Sequence, residues 1–128
     1  MQVLLADNQK DVRSALRLTL EYRHPGWQFV EAATLKDVLA ELQRNCPDLL
    51  LLDWDLRRIL AADGLQDNNW QSILAFIHAH CSCLKIVVLS SNLAARSQAL
   101  QSGADAFVCK ADPIETLEES IAFVRQAL

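Results

Sequence analysis

The sequence predicts an α/β fold, a parallel sheet with helices on both faces. Three observations carry that prediction. Short, purely apolar runs recur along the chain, amphipathic stretches of helical period separate them, and the two alternate strictly as five β-α pairs. A strand buried on both faces has no polar side to alternate with, so unbroken apolar runs point to a parallel sheet.

The first strand is expected at Val3–Ala6, followed by a helix from Gln9 to Tyr22 with a loose stripe of Val12, Ala15, Leu16 and Thr19. A fainter strand lies around Trp27–Val30. Thr34 is placed to cap the next helix, where Leu35, Val38, Leu39 and Leu42 fall on one face. Leu49–Leu52 is the third strand. The stretch from Trp54 to Asn69 is irregular and reads as a loop with room for a short helix, after which Trp70, Ile73, Leu74 and Ile77 restore helical spacing. Ile86–Leu89 is the fourth strand, and Gly103 sits where a left-handed residue would stop a Leu93–Ser102 helix. Behind the fifth strand, Ala106–Cys109, Asp112, Pro113 and Glu115 supply a cap, a first-turn proline and a third-position acid. Ile114, Leu117, Ile121 and Val124 line the helix that follows.

A length of 128 residues suits one domain, taken as 1–128, with no repeat or linker inside it. At 52% hydrophobic against 22% charged, the chain is too apolar for a disordered segment. Runs such as Leu49–Leu52 are far too short to span a bilayer, and no basic leader follows Met1. A cytoplasmic protein with no membrane partner is therefore expected, with Cys46, Cys81, Cys83 and Cys109 as reduced thiols. Net charge is −4 and the 12 basic residues are scattered, Arg57-Arg58 being the only adjacent pair. Nucleic acid needs a clustered basic face, so direct binding to it is not expected. The run His78-Ala-His80-Cys81-Ser-Cys83 offers zinc's preferred donors, but ligands two apart on a helix face different sides. A helix end running into a strand is the reading taken. Gly26, Gly64 and Gly103 form no phosphate-cradling loop, which excludes a dinucleotide fingerprint and a P-loop.

The chemistry lies directly behind the strands. The first is followed by Asp7-Asn8, the third by Asp53, the fourth by Ser90-Ser91-Asn92 and the fifth by Lys110. Open α/β sheets bind ligands beyond the carboxyl ends of their strands, at the topological switch point. With strand order 2-1-3-4-5, Asp7, Asn8 and Asp53 meet there, flanked by Ser90 and Lys110. Two carboxylates and an amide oxygen suit a hard cation such as Mg²⁺, and a hydroxyl and an ammonium suit a phosphoryl group. Singly, each residue has a plainer explanation: aspartates at strand ends cap helices, serines make turns, and lysines sit on surfaces. The signal is all four in register.

The segments VLLADN at 3–8, PDLLLLD at 47–53, VVLSS at 87–91 and GADAFVCK at 103–110 carry a resemblance. Over essentially its whole length the chain resembles the receiver domain of bacterial two-component response regulators. Its KADPIETL at 110–117 is most similar to receivers that precede LuxR-type helix-turn-helix domains. The resemblance implies a single flavodoxin-like (βα)5 domain of sheet order 2-1-3-4-5. It implies that Asp53 accepts a phosphoryl group from a histidine kinase. Asp7, Asp53 and the backbone carbonyl of Asp55 would hold Mg²⁺, with Asn8 contributing an amide oxygen. Ser90 and Lys110 would contact phosphoryl oxygens. Phe107 matches an aromatic switch, its alternative being a plain core ring. Partners, a downstream effector domain or protein among them, would dock on the face made by the fourth helix, fifth strand and fifth helix, and the last helices would support a homodimer. Residues at the positions of Asp55 and Asn92 tune loss of the phosphoryl group. The expectation is a switch, not an enzyme.

Three departures from the family stand out. Asn8 replaces a second aspartate, which removes one charge from the metal site and predicts weaker metal binding. The loop WDLRRILAADG lacks the usual Met-Pro and reaches Asp63-Gly64 late, placing Arg57 and Arg58 near the mouth of the site. Lys110-Ala111 replaces Lys-Pro. The first two motivate the alternative of a pseudo-receiver, a protein-interaction module that works without phosphorylation. Asp55, two residues after Asp53, also meets the spacing of a phosphatase with an aspartate nucleophile, but no cap or substrate-binding region accompanies it.

Overall fold

The computed structural model describes residues 1–56 and 69–126. Its strands are β1 (Gln2–Ala6), β2 (Gln28–Ala32), β3 (Leu49–Asp53), β4 (Lys85–Ser90) and β5 (Ala106–Cys109). Its helices are α1 (Lys10–Arg23), α2 (Leu35–Arg44), α3 (Trp70–His80), α4 (Arg96–Ser102) and α5 (Ile114–Gln126). All strand pairings are parallel, in the order β2-β1-β3-β4-β5. The expected flavodoxin-like topology is the observed one.

The period-2 geometry of the strands divides the core in two. Leu4, Ala6, Leu50, Leu52, Ile86, Val88 and Phe107 face one way, onto Leu35, Val38 and Leu42 of α2, Trp70, Leu74 and Ile77 of α3, and Ala99 of α4. Val3, Leu5, Leu49, Leu51, Val87, Leu89 and Val108 face the other, onto Leu20 of α1 and Leu117, Ile121 and Val124 of α5. Every residue of β3 is buried, as its central place in the sheet requires. No described helix is long and apolar enough to cross a membrane.

The predicted Thr34 cap forms, and Asn69 caps α3 in the same way. The Thr34 side chain accepts the Asp37 N–H at 3.1 Å, and the Asn69 side chain accepts that of Gln71 at 2.9 Å. Gly103 stops α4 at φ 118°. The expected Leu93–Ser102 helix instead opens as a 3₁₀ turn over Leu93–Ala95, because Asn92 caps it by accepting the Ala94 N–H at 3.0 Å. β2 lies two residues further on than the apolar run reaches, ending at Ala32.

The expectation of four reduced thiols is corrected: Cys46 and Cys81 form a disulfide, while Cys83 and Cys109 are free. Cys46 precedes β3 and Cys81 precedes β4. Since those strands are parallel neighbours, the loops leading into them meet at one end of the sheet despite a sequence separation of 35.

Candidate functional site

At the opposite end, the carboxyl termini of β1, β3, β4 and β5 bring four predicted residues together. Ala6 pairs with Leu52, so the next residues along, Asp7 and Asp53, lie side by side. Ser90 pairs with Cys109, and the Lys110 N–H bonds the Ser90 carbonyl at 2.9 Å. Asp7, Asp53 and Ser90 are buried polar residues in an otherwise apolar interior. Lys110 Nζ bridges the two acids, 2.9 Å from Asp7 Oδ2 and 3.2 Å from Asp53 Oδ1.

The remaining acceptors are aimed by the backbone. Asp7 Oδ1 accepts the Gln9 N–H at 2.8 Å, and Asp53 Oδ1 accepts the Asp55 N–H at 3.1 Å. Ser90 Oγ accepts the Asn92 N–H at 3.1 Å. These short loops turn sharply enough for a side chain to receive the amide two residues on, which fixes its rotamer without help from bulk water. Asn8 and Asp55 are exposed at the rim. Trp54, directly after Asp53, is buried and stacks on Trp70 with ring centroids 5.0 Å apart. Arg57, Arg58 and Asp63-Gly64 lie outside the described residues.

One ammonium serves two carboxylates, and the electrostatics record the shortfall. Burial pushes the Asp53 carboxyl above its ordinary pKa; the Asp55 N–H opposes this, the Asp7 charge adds to it, and Lys110 opposes it. For Lys110 the largest influence is burial, which favours the neutral amine. The bond to Asp7 and the charges of Asp53 and Asp7 together outweigh it and raise the ammonium's pKa. With both acids ionised, one negative charge is left over among hard oxygen donors. A divalent cation such as Mg²⁺ fits that set.

Sequence reasoning missed the support behind Asp7. Arg13 of α1 donates to the Asp7 carbonyl at 2.7 Å and through Nε to Glu31 of β2 at 2.7 Å, while Arg17 reaches the other Glu31 oxygen at 2.9 Å. The bonds from Arg13 and then Arg17 hold the Glu31 carboxyl below its ordinary pKa. No spacing signals this cluster, because its members meet only through the β1–β2 pairing.

Phe107 is buried in β5, within the core that also holds Ala95 and Ala99. Beyond it, Phe123 (66%) and Leu100 (39%) are exposed on the face that α4, β5 and α5 share. The His78–Cys83 run is, as expected, a helix end leading into a strand. His78 bonds the Gly103 carbonyl, whereas His80 turns toward Leu42 beside the Cys46–Cys81 pair.

Residues 3–122 match the response regulator receiver domain. No curated protein matches the chain. Among solved structures it is similar to a Burkholderia pseudomallei response regulator with a phosphorylated aspartic acid, calcium ion and citrate, at 21% identity and TM-score 0.73. That match covers 93% of this chain and 65% of the other, so the chain spans less than two-thirds of that protein. A Thermotoga maritima response regulator in complex with Mg²⁺ and BeF matches at 20% identity and TM-score 0.76, over 96% of this chain and 97% of that one. A LuxR-family two-component response regulator of Aurantimonas sp. matches at 23% identity and TM-score 0.76, over 98% and 85%. At these identities the likeness is one of fold.

Proposed function

Because the chain belongs to the response regulator receiver domain family, we propose that it is a working two-component switch. In this reading Asp53 takes a phosphoryl group from a sensor histidine kinase, and the chain is a signalling protein, not an enzyme with its own substrate. The observation that carries the reading is the Lys110 ammonium set between the buried Asp7 and Asp53 carboxylates. The phosphorylated aspartate of the Burkholderia protein and the Mg²⁺–BeF complex of the Thermotoga protein support it.

A bond forms from an Asp53 carboxylate oxygen to phosphorus as the bond from phosphorus to the kinase imidazole breaks, its electron pair returning to that nitrogen. Asp7, Asn8, Asp53 and the Asp55 carbonyl would hold Mg²⁺, which when bound neutralises charge on the transferring group. Lys110 pairs with one phosphoryl oxygen. Ser90 Oγ swings from the Asn92 amide to donate to another, and Phe107 follows the space it leaves. The change reaches the α4, β5 and α5 face, whose exposed Leu100 and Phe123 receive a downstream effector domain, of the LuxR-type DNA-binding kind, or a second copy of the chain. Cytoplasmic residence, where a kinase domain is reached, completes the reading.

Asn8 favours a second reading, the pseudo-receiver, since the site lacks the acid that would otherwise strengthen its hold on Mg²⁺. Intact mass after incubation with acetyl phosphate and Mg²⁺ separates the two. We expect one added phosphoryl group on the wild type and none on Asp53→Asn. No added mass, together with no change in tryptophan fluorescence on adding beryllofluoride, selects the pseudo-receiver. Label on the variant would assign the nucleophile elsewhere.

A further inference from the structure

Three potential soft-metal ligand atoms converge at the end of the sheet away from Asp53. The Cys46 and Cys81 sulfurs and a ring nitrogen of His80 all lie within 4.8 Å of one another. In a tetrahedral zinc site, bonds of about 2.3 Å to sulfur and about 2.0 Å to nitrogen put ligand atoms roughly 3.5–3.8 Å apart; the two sulfurs, joined here in a disulfide, part to that spacing on reduction, and the His80 nitrogen already lies within 4.8 Å of both. The helical objection to neighbouring ligands does not apply here. His80 is the last residue of α3, and Cys81 has left the helix, at φ −126° and ψ 85°.

The surroundings orient the imidazole as a ligand. His80 Nε2 stands 3.1 Å from the Leu42 carbonyl oxygen. A carbonyl only accepts, so this partner assigns the proton to Nε2 and leaves the lone pair on Nδ1. A backbone carbonyl holding the second ring nitrogen is the usual outer support of a metal-bound histidine. The Phe76 ring, stacked on His80 at 6.2 Å and 2°, adds to its fixing. Cys81 is buried while Cys46 and His80 are exposed, which leaves a fourth position open to water.

We propose that in its reduced form the chain binds a thiophilic divalent metal, Zn²⁺ by its ligand chemistry, through Cys46, Cys81 and His80. The disulfide is the metal-free state of the same site. A dithiol reductant opens it: one thiolate attacks a cysteine sulfur, the second closes the reductant's own disulfide, and Cys46 and Cys81 leave as thiols. The metal then displaces one proton from each thiol. The reverse passage, to a disulfide-bearing oxidant, gives up two electrons and releases the metal. This site uses none of the residues around Asp53.

The test takes the full chain, reduced with a phosphine that is then removed under argon, and titrates it with Co²⁺ in excess Mg²⁺. We expect a thiolate-to-cobalt charge-transfer band that saturates at one equivalent and is erased by Zn²⁺. Cys46→Ser should abolish the band, His80→Ala should weaken Co²⁺ binding at least tenfold, and Cys83→Ser and Asp53→Asn should leave it unchanged. A second readout needs no variant: Zn²⁺ should protect Cys46 and Cys81, but not exposed Cys83, from alkylation. Absence of the band in the reduced wild type, its survival in Cys46→Ser, full affinity in His80→Ala, or alkylation of Cys46 at wild-type rate under saturating Zn²⁺ would each overturn the proposal.

Discussion

Burial and the neighbouring Asp7 raise the Asp53 carboxyl above its ordinary pKa, and the sign of that shift has a thermodynamic meaning. A carboxyl whose folded pKa exceeds its unfolded one supports folding only while protonated. Its contribution is complete below the unfolded value and is lost as pH rises through the folded one. At neutral pH the ionised Asp53 therefore destabilises the metal-free fold. We expect Asp53→Asn to raise stability at neutral pH without divalent metal. The gain should fade to nothing below the ordinary carboxylate range, as read by urea unfolding across pH. Mg²⁺ at ten times its Kd should add about 1.4 kcal/mol to the wild type and much less to the variant. Asn8→Asp supplies the missing charge at the rim and should lower the Mg²⁺ Kd several-fold. The fluorescence of Trp54, stacked on Trp70 beside Asp53, is the readout, and an unchanged titration would remove position 8 from the metal site. Asp7, Asp53, Ser90 and Lys110 are legible because each directly follows an unbroken apolar run. Arg13 and Glu31 are not, since nothing in a one-dimensional pattern marks a contact made across two elements.

At the scale of elements, legibility followed burial. β1, β3, β4 and β5 announced themselves as apolar runs. β2 is an edge strand with Gln28 and Val30 exposed, so its apolar run was faint and its end misplaced. The α4 start was misplaced for a different reason: Asn92 competes locally for the Ala94 amide and tightens the first turn. The α4 stop is visible in the sequence because only glycine adopts φ 118° without strain. Gly103→Ala tests this. A Cβ there would meet Leu74 Cβ at an ordinary 3.5 Å, so the loss of about 1–2 kcal/mol expected in urea unfolding comes from the backbone alone.

For the molecule as a whole, the Cys46–Cys81 bond closes a loop of sequence separation 35 that contains Asp53. Such a closure restricts the unfolded chain and is worth about 4 kcal/mol by loop entropy. Reduction should therefore move the urea midpoint down, and superimposable oxidised and reduced curves would show that the loop is not restricted by the bond. The pair was invisible in sequence because only the parallel crossover brings its halves together. The β1–β3 pairing that joins Asp7 to Asp53 also has a consequence for biosynthesis. Both acids belong to the first 53 residues, whereas the lysine between them arrives at position 110. A ribosome-bound chain owns the two repelling carboxylates well before their counter-ion, and β5, the last strand to be made, carries that counter-ion into place. Closing the sheet's far edge and quieting its acidic end are thus one event in the life of the nascent protein.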